Sequence, residues 1–179
     1  MIEIYLHDFS LSHEQKDNLL VLFQWDILEV QISYISDFRS AKVLREITDT
    51  LCRNFWIIPK WRTRIVLILD ELHNNAIEYG SLQWERNIFF LKIEKIQGKG
   101  YSIIASVTDT WHWLKAKKAI QMEEIRKNHE NEDFRKHTSI RGRWLFLIIS
   151  HLVDALRFED DVSGSGLRVI IEKQLSLNS

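Results

Sequence analysis

Strict alternation of apolar and polar positions opens the chain. In MIEIYLH, Ile2, Ile4 and Leu6 fall on one side, the pattern of a half-buried strand. The alternation returns in LEVQISY through Leu28, Val30, Ile32 and Tyr34. Between the two, Ser12 and Gln15 stand in capping-box spacing before an apolar stretch, which predicts a short helix over about 13–24. Leu44, Ile47, Leu51 and Phe55 recur at helical spacing and predict a helix over about 38–55. Pro59 suits the first turn of another helix, where its missing N–H costs nothing. That helix is expected to run to about Tyr79 and to stop at Gly80. NIFFLKIEKI and YSIIASVTD read as strands joined by the turn QGKG. The apolar run WLFLIISHLVDAL reads as a helix, and LRFED and GLRVIIEKQL close the chain as two strands around DDVSGSG.

The segment 110–141 breaks this rhythm. It is rich in Lys, Glu, Asn and His, with little apolar periodicity beyond a helix around 116–127, and reads as a long loop of the kind that carries function. Helices in one block and a largely antiparallel sheet in another imply the α+β class, as a two-layer α/β sandwich with a mixed sheet and helices on one face. A length of 179 residues suits one domain with a small extension, and 45% hydrophobic residues is ample for a core. With 24 basic against 25 acidic side chains, net charge −1, nothing favours general nucleic-acid binding. The lone Cys52 allows no internal disulfide, which fits a reducing compartment. The first ten residues lack the charged-then-apolar layout of a signal peptide, and no apolar run approaches the roughly 18 residues of a membrane span. The expectation is a cytoplasmic protein without a membrane anchor.

Composition leaves one oddity unexplained. In LILDELHNNAIEYG, Leu67, Ile68, Leu69 and Leu72 call for burial, yet Glu71, Asn74, Asn75 and Glu78 share one helix face among them. A carboxylate accepts hydrogen bonds and can deprotonate a hydroxyl or a water. An amide oxygen is a hard ligand suited to Mg2+, which keeps several waters and takes few protein ligands. A plain solvated helix face accounts for the pattern equally well.

Three further places carry candidate chemistry. Asp109 ends an apolar strand, where its carboxylate can accept a hydrogen bond from the exocyclic amine of adenine or simply shape a turn. Gly142, flanked by Arg141 and Arg143, precedes a long apolar helix, an arrangement that suits an anion or a simple loop-to-helix junction. Gly164 and Gly166 introduce the last strand, which alone signals a hairpin.

Taken in order, these segments resemble the histidine-kinase-like (GHKL) ATPase superfamily, in particular the anti-sigma factor serine/threonine kinases. DELHNNAIEYG resembles the Glu-x-x-x-Asn-Ala box of that family, and VTDTWHW stands where it has Asp-x-Gly-x-Gly. RGRWLFLIISHLVDALRF resembles its Gly-Arg-Gly-Leu helix and GSGLRVII its final Gly-Thr strand. The resemblance spans about 27–175 and implies a division into an extension, 1–25, and an ATPase domain, 26–179, with 110–141 as the lid over ATP. It further implies that Glu71 is the general base, that Asn75 binds Mg2+, and that Asp109 reads adenine. Gly142, Arg143 and Gly166 would contribute to nucleotide binding. The implied partners are a small antagonist protein, phosphorylated on serine or threonine, and a sigma-factor-like client. Homodimers are common in such families. The strand and helix of 1–25 lie outside the resemblance and are compatible with a cap on the core, an added strand or a partner surface.

The chain departs from that pattern at its glycines. Trp111 and Trp113 follow Asp109 where the family has glycine, Trp144 replaces the glycine after Arg143, and Leu167 stands where a threonine is common. Indoles fill space and forbid conformations that glycine permits. They are compatible with a closed site in a non-catalytic protein-binding module, with stacking on a base, or with core filling.

Overall fold

The computed structural model describes residues 1–6, 26–110, 118–130, 152–161 and 166–176. Six strands form one mixed sheet: β1 (Ile2–Tyr5), β2 (Ile27–Ile35), β3 (Arg86–Ile96), β4 (Gly100–Thr108), β5 (Ala155–Asp160) and β6 (Leu167–Ser176). Their order is β1-β2-β3-β4-β6-β5, with β1 parallel to β2 and every other pair antiparallel. Three helices accompany them among the described residues: α1 (Phe38–Asn54), α2 (Pro59–Asn75) and α3 (Ala119–Glu130).

The alternation read from the sequence is the alternation of the sheet. Leu28, Val30 and Ile32 of β2 pair with Ile93, Leu91 and Phe89 of β3, which in turn pair with Ile103, Ala105 and Val107 of β4. These side chains are buried in one cluster with Leu44, Ile47 and Leu51 of α1 and Ile65, Ile68, Leu69 and Leu72 of α2. The core is thus the layer between two helices and one face of the sheet. On the other face of β2 and β3 stand polar side chains, among them Glu29 and Lys92, an ion pair at 3.2 Å.

β1 extends the sheet edge rather than standing apart as a cap. Ile4 and Leu6 are buried with the core, and Leu6 donates its N–H to Ser33 O at 2.9 Å. Arg86 ties this edge down: its Nη2 donates to the carbonyls of Ser33 and Leu6 at 2.8 and 3.2 Å. The helix expected over 13–24 lies outside the described residues.

α1 begins at Asp37, whose carboxylate accepts the Arg39 N–H at 2.8 Å. It ends in a Schellman arrangement: Ile57 N–H donates to Cys52 O and Trp56 N–H to Arg53 O, both at 3.0 Å. Trp56 has φ 57, and Trp84, in the turn before β3, has φ 75; among the described residues they are the only non-glycine positions with positive φ. A bulky side chain there costs about 1 kcal/mol or more.

Two expectations are corrected. The helix ending WLFLIISHLVDAL was extended through Leu156, but Ala155 and Leu156 belong to β5. Asp154 fixes the change of direction, accepting Lys173 Nζ at 2.7 Å and the Gln174 N–H at 2.6 Å. Leu67, expected in the core, is 40% exposed, because it faces outward between buried Ile65 and Ile68. The helix expected at 116–127 is α3, shifted by a few residues; its Ala119 N–H donates to Asp160 Oδ1 of β5 at 2.9 Å. No described helix is long and apolar enough to cross a membrane.

Candidate functional site

The polar stripe of α2 starts from the way its core face is spent. Ile65, Ile68, Leu69, Leu72 and His73 fill the core side. Glu71, Asn74, Asn75 and Glu78 are thereby carried to the helix flank, and all four are half-buried. Partial burial raises the Glu71 pKa above the ordinary glutamate value, and the charge of Asp70 adds to the effect. The Asn75 Nδ2 atom is fully buried and has no hydrogen-bond partner among the described residues. A buried amide donor left in this way costs stability unless something else accepts from it.

After Asn75 the helix widens. Residues Ala76–Gly80 form a single π turn, closed by the Ser81 N–H donating to Ala76 O at 2.9 Å. Such turns recur at functional sites. The helical run stops at Gly80, as the sequence predicts, but the φ of Gly80 is not in the left-handed region. Its lack of a side chain answers a different need. A Cβ on Gly80 would lie 2.1 Å from Asp109 Oδ2, so the carboxylate rests directly on the glycine backbone.

Gly166 meets the other side of the same residue: a Cβ there would stand 2.2 Å from Asp109 O. Asp109 Oδ1 accepts the Leu167 N–H at 2.9 Å, and Asp109 N–H donates to Leu167 O at 3.1 Å. The structure therefore brings Asp109 and Gly166, two of the candidate residues, together and adds Gly80 beside them. Glu71 and Asn75 lie on the helix that ends at this wall. Gly142 and Arg143, and likewise Trp111, Trp113 and Trp144, lie outside the described residues.

A hydroxyl network that the sequence reading missed holds the start of the 110–141 segment. Ser81 Oγ accepts the Thr110 N–H at 3.0 Å and donates to Asn87 Oδ1. Thr110 Oγ1 donates to Glu85, whose Oε2 also accepts the Leu82 N–H at 2.6 Å. The only sequence trace of this knot is the pair of hydroxyl residues directly after Gly80 and Asp109. Beneath it, His73 Nδ1 and Tyr34 Oη are 3.1 Å apart. Burial pushes the His73 pKa down to about 3 and the Tyr34 pKa strongly up, so both are neutral core groups at physiological pH.

Among the described residues no three His, Cys, Asp or Glu side chains are arranged to hold a metal by themselves. A shallow groove of about 560 Å³ runs between α1 and α2, lined by residues that include Arg45, Asp49 and Arg53. It contains none of the candidate residues, and three of its charged side chains are engaged, Arg45 with Asp70 and Arg53 with Asp49. Compared with models of known protein families and with curated proteins, the chain matches none.

Proposed function

We propose that the chain is a regulatory protein that binds Mg-ATP at the Asp109 wall and phosphorylates a serine or threonine of a small antagonist protein, in the manner of the anti-sigma factor kinases it resembles. The observation that carries this reading is Asp109 itself. Its carboxylate is fixed just after β4 by the Leu167 N–H and rests on the backbone of Gly80, while Gly166 lies against the Asp109 carbonyl. Such a carboxylate suits an adenine amine.

The residues of α2 fit the rest of the nucleotide. The Asn75 Nδ2, buried and without a hydrogen-bond partner among the described residues, suits a phosphate oxygen as acceptor, while the amide Oδ1 is the atom that would ligate Mg2+. One amide oxygen suits Mg2+, which shares its ligand shell with phosphates and water. ATP would supply the phosphoryl group and Mg2+ the charge neutralisation that phosphoryl transfer needs. Glu71, half-buried with a raised pKa, is suited to accept the proton of the attacking hydroxyl. In its unoccupied state the protein would hold a sigma-factor-like client.

A second reading, a protein-binding module without turnover, draws on Trp111, Trp113 and Trp144 at positions where the resembled family has glycine. Turnover and binding assays separate the two. Glu71→Ala is expected to bind nucleotide but to lose turnover, and Asn75→Ala to lose Mg-dependent binding. Equal turnover by the parent and both variants would contradict the assigned roles.

A further inference from the structure

Trp56 occupies the C′ position of the Schellman arrangement that ends α1, with φ 57. That position asks for glycine because a Cβ is strained there. The partner feature of the motif is intact, since Cys52 and Ile57 are both buried beside it. The Trp56 side chain gains little in return: the residue is 86% exposed.

Trp84 repeats the conflict in a different setting. Residues 82–85 form a turn closed by the Glu85 N–H donating to Leu82 O at 3.2 Å. Positive φ falls at its third position alone, with φ 75, the type II arrangement that requires glycine. Trp84 is 59% exposed, and one of its contacts is the Arg39 guanidinium, 5.9 Å from its indole. Trp61 behaves otherwise. It packs against the core, with the Arg64 and Lys173 cations each 4.8 Å from its ring and φ outside the left-handed region.

Composition points the same way. The chain has seven tryptophans and six glycines, whereas about 7% glycine is usual, or about twelve in a chain this long. Trp111, Trp113 and Trp144 stand where the resembled family has glycine. Two positions are thus glycine positions by backbone conformation and three by resemblance, and at all five the residue is tryptophan rather than a scatter of types. Mutational drift has no reason to choose the largest side chain five times over. A single change of codon meaning does: UGA stands for stop, tryptophan or glycine, according to the tRNAs and release factors of the cell.

We propose that positions 56, 84, 111, 113 and 144 are encoded by UGA and carry glycine in the protein as its own cell makes it, while Trp61 is a true tryptophan. Glycine at 56 and 84 relieves the two strained turns. Glycine at 111, 113 and 144 removes the indoles that argue against an open nucleotide site. The inference rests on backbone conformation at Trp56 and Trp84; at 111, 113 and 144 it rests on the same resemblance as the functional reading.

The first test is the codon at each position, followed by mass spectrometry of peptides from the protein isolated from its own cell. UGA at the five positions, UGG at Trp61, and glycine masses in the peptides spanning 56 and 84 are expected. UGG at 56 and 84, or tryptophan masses there, would overturn the proposal. The second test is physical. Trp56→Gly and Trp84→Gly are each expected to raise Tm by about 2–4 °C, and Trp61→Gly to lower it. An unchanged or lower Tm in both of the first two would overturn the structural argument. Glycine peptides combined with an absence of ATP binding would leave this proposal standing and remove the kinase reading.

Discussion

Asp109 and Leu167 are joined twice, by the Leu167 N–H donating to Asp109 Oδ1 at 2.9 Å and by the Asp109 N–H donating to Leu167 O at 3.1 Å. This reciprocal pair continues the β4–β6 ladder past its last regular rung and fixes a carboxylate at its mouth. Gly80 and Gly166 press on it from two directions, but on different atoms. An added Cβ at Gly80 meets the Asp109 side chain, whereas one at Gly166 meets the Asp109 carbonyl. A side chain can swing aside; backbone held in a sheet cannot. Gly80→Ala is therefore expected to cost about 1 kcal/mol and Gly166→Ala about 2–3 kcal/mol. Urea denaturation of the two variants checks the order, and a larger loss at Gly80 would contradict the packing described.

Glu71 gives a pH-dependent signature. Its folded-state pKa lies above the ordinary value, first because of burial and then because of Asp70. The folded protein thus prefers the protonated form. The stabilisation this gives is present below the ordinary glutamate pKa of about 4.3 and is lost as pH rises through the folded-state value. Glu71→Gln does not suffer that loss, so it is expected to match the parent near pH 4 and to be the more stable of the two at neutral pH. The same substitution is expected to lower turnover about 10²–10⁴-fold. Thermal melts across pH, set beside turnover rates, test both halves; a stability gain at neutral pH without a rate loss would remove Glu71 from the chemistry.

His73 has the opposite sign. Burial depresses its pKa to about 3, so its contribution to stability is present above the ordinary value of about 6.5 and drains away as pH falls toward 3. In that window the slope attributable to one proton is at most about 1.4 kcal/mol per pH unit. His73→Phe, which keeps a ring between Tyr34 and Phe89, is expected to flatten this part of the curve. An unchanged slope would mean that the acid sensitivity comes from other groups.

The sheet was legible because each central strand buries one face, so period-two alternation in Leu28–Tyr34 maps directly onto the register with β3. Pro59 marked a helix start by local chemistry that needs no tertiary context. Legibility failed where tertiary contact decides. The run ending in Ala155 and Leu156 is apolar without a period, and only the bonds from β6 to Asp154 show where the strand begins. Gly80 does end the helical run, but its close contact with Asp109, far along the chain, left no local trace. The Ser81–Thr110–Glu85 knot and the Tyr34–His73 contact likewise join residues that no local pattern relates. For the candidate site, the shared face of Glu71 and Asn75 was readable from helical spacing, whereas the meeting of Asp109 with Gly166 is decided by the β4–β6 pairing.

The central claim is that Asp109 and Asn75 belong to one Mg-ATP site. The most direct measurement is a calorimetric titration of ATP, with and without Mg2+, into the chain with glycine at 56, 84, 111, 113 and 144. Its Asp109→Asn and Asn75→Ala variants are titrated alongside. Saturable binding is expected in the parent, lost with Asp109→Asn and stripped of its Mg2+ dependence with Asn75→Ala. A parent that shows no saturable heat at about millimolar ATP, or variants that bind as the parent does, would contradict the account.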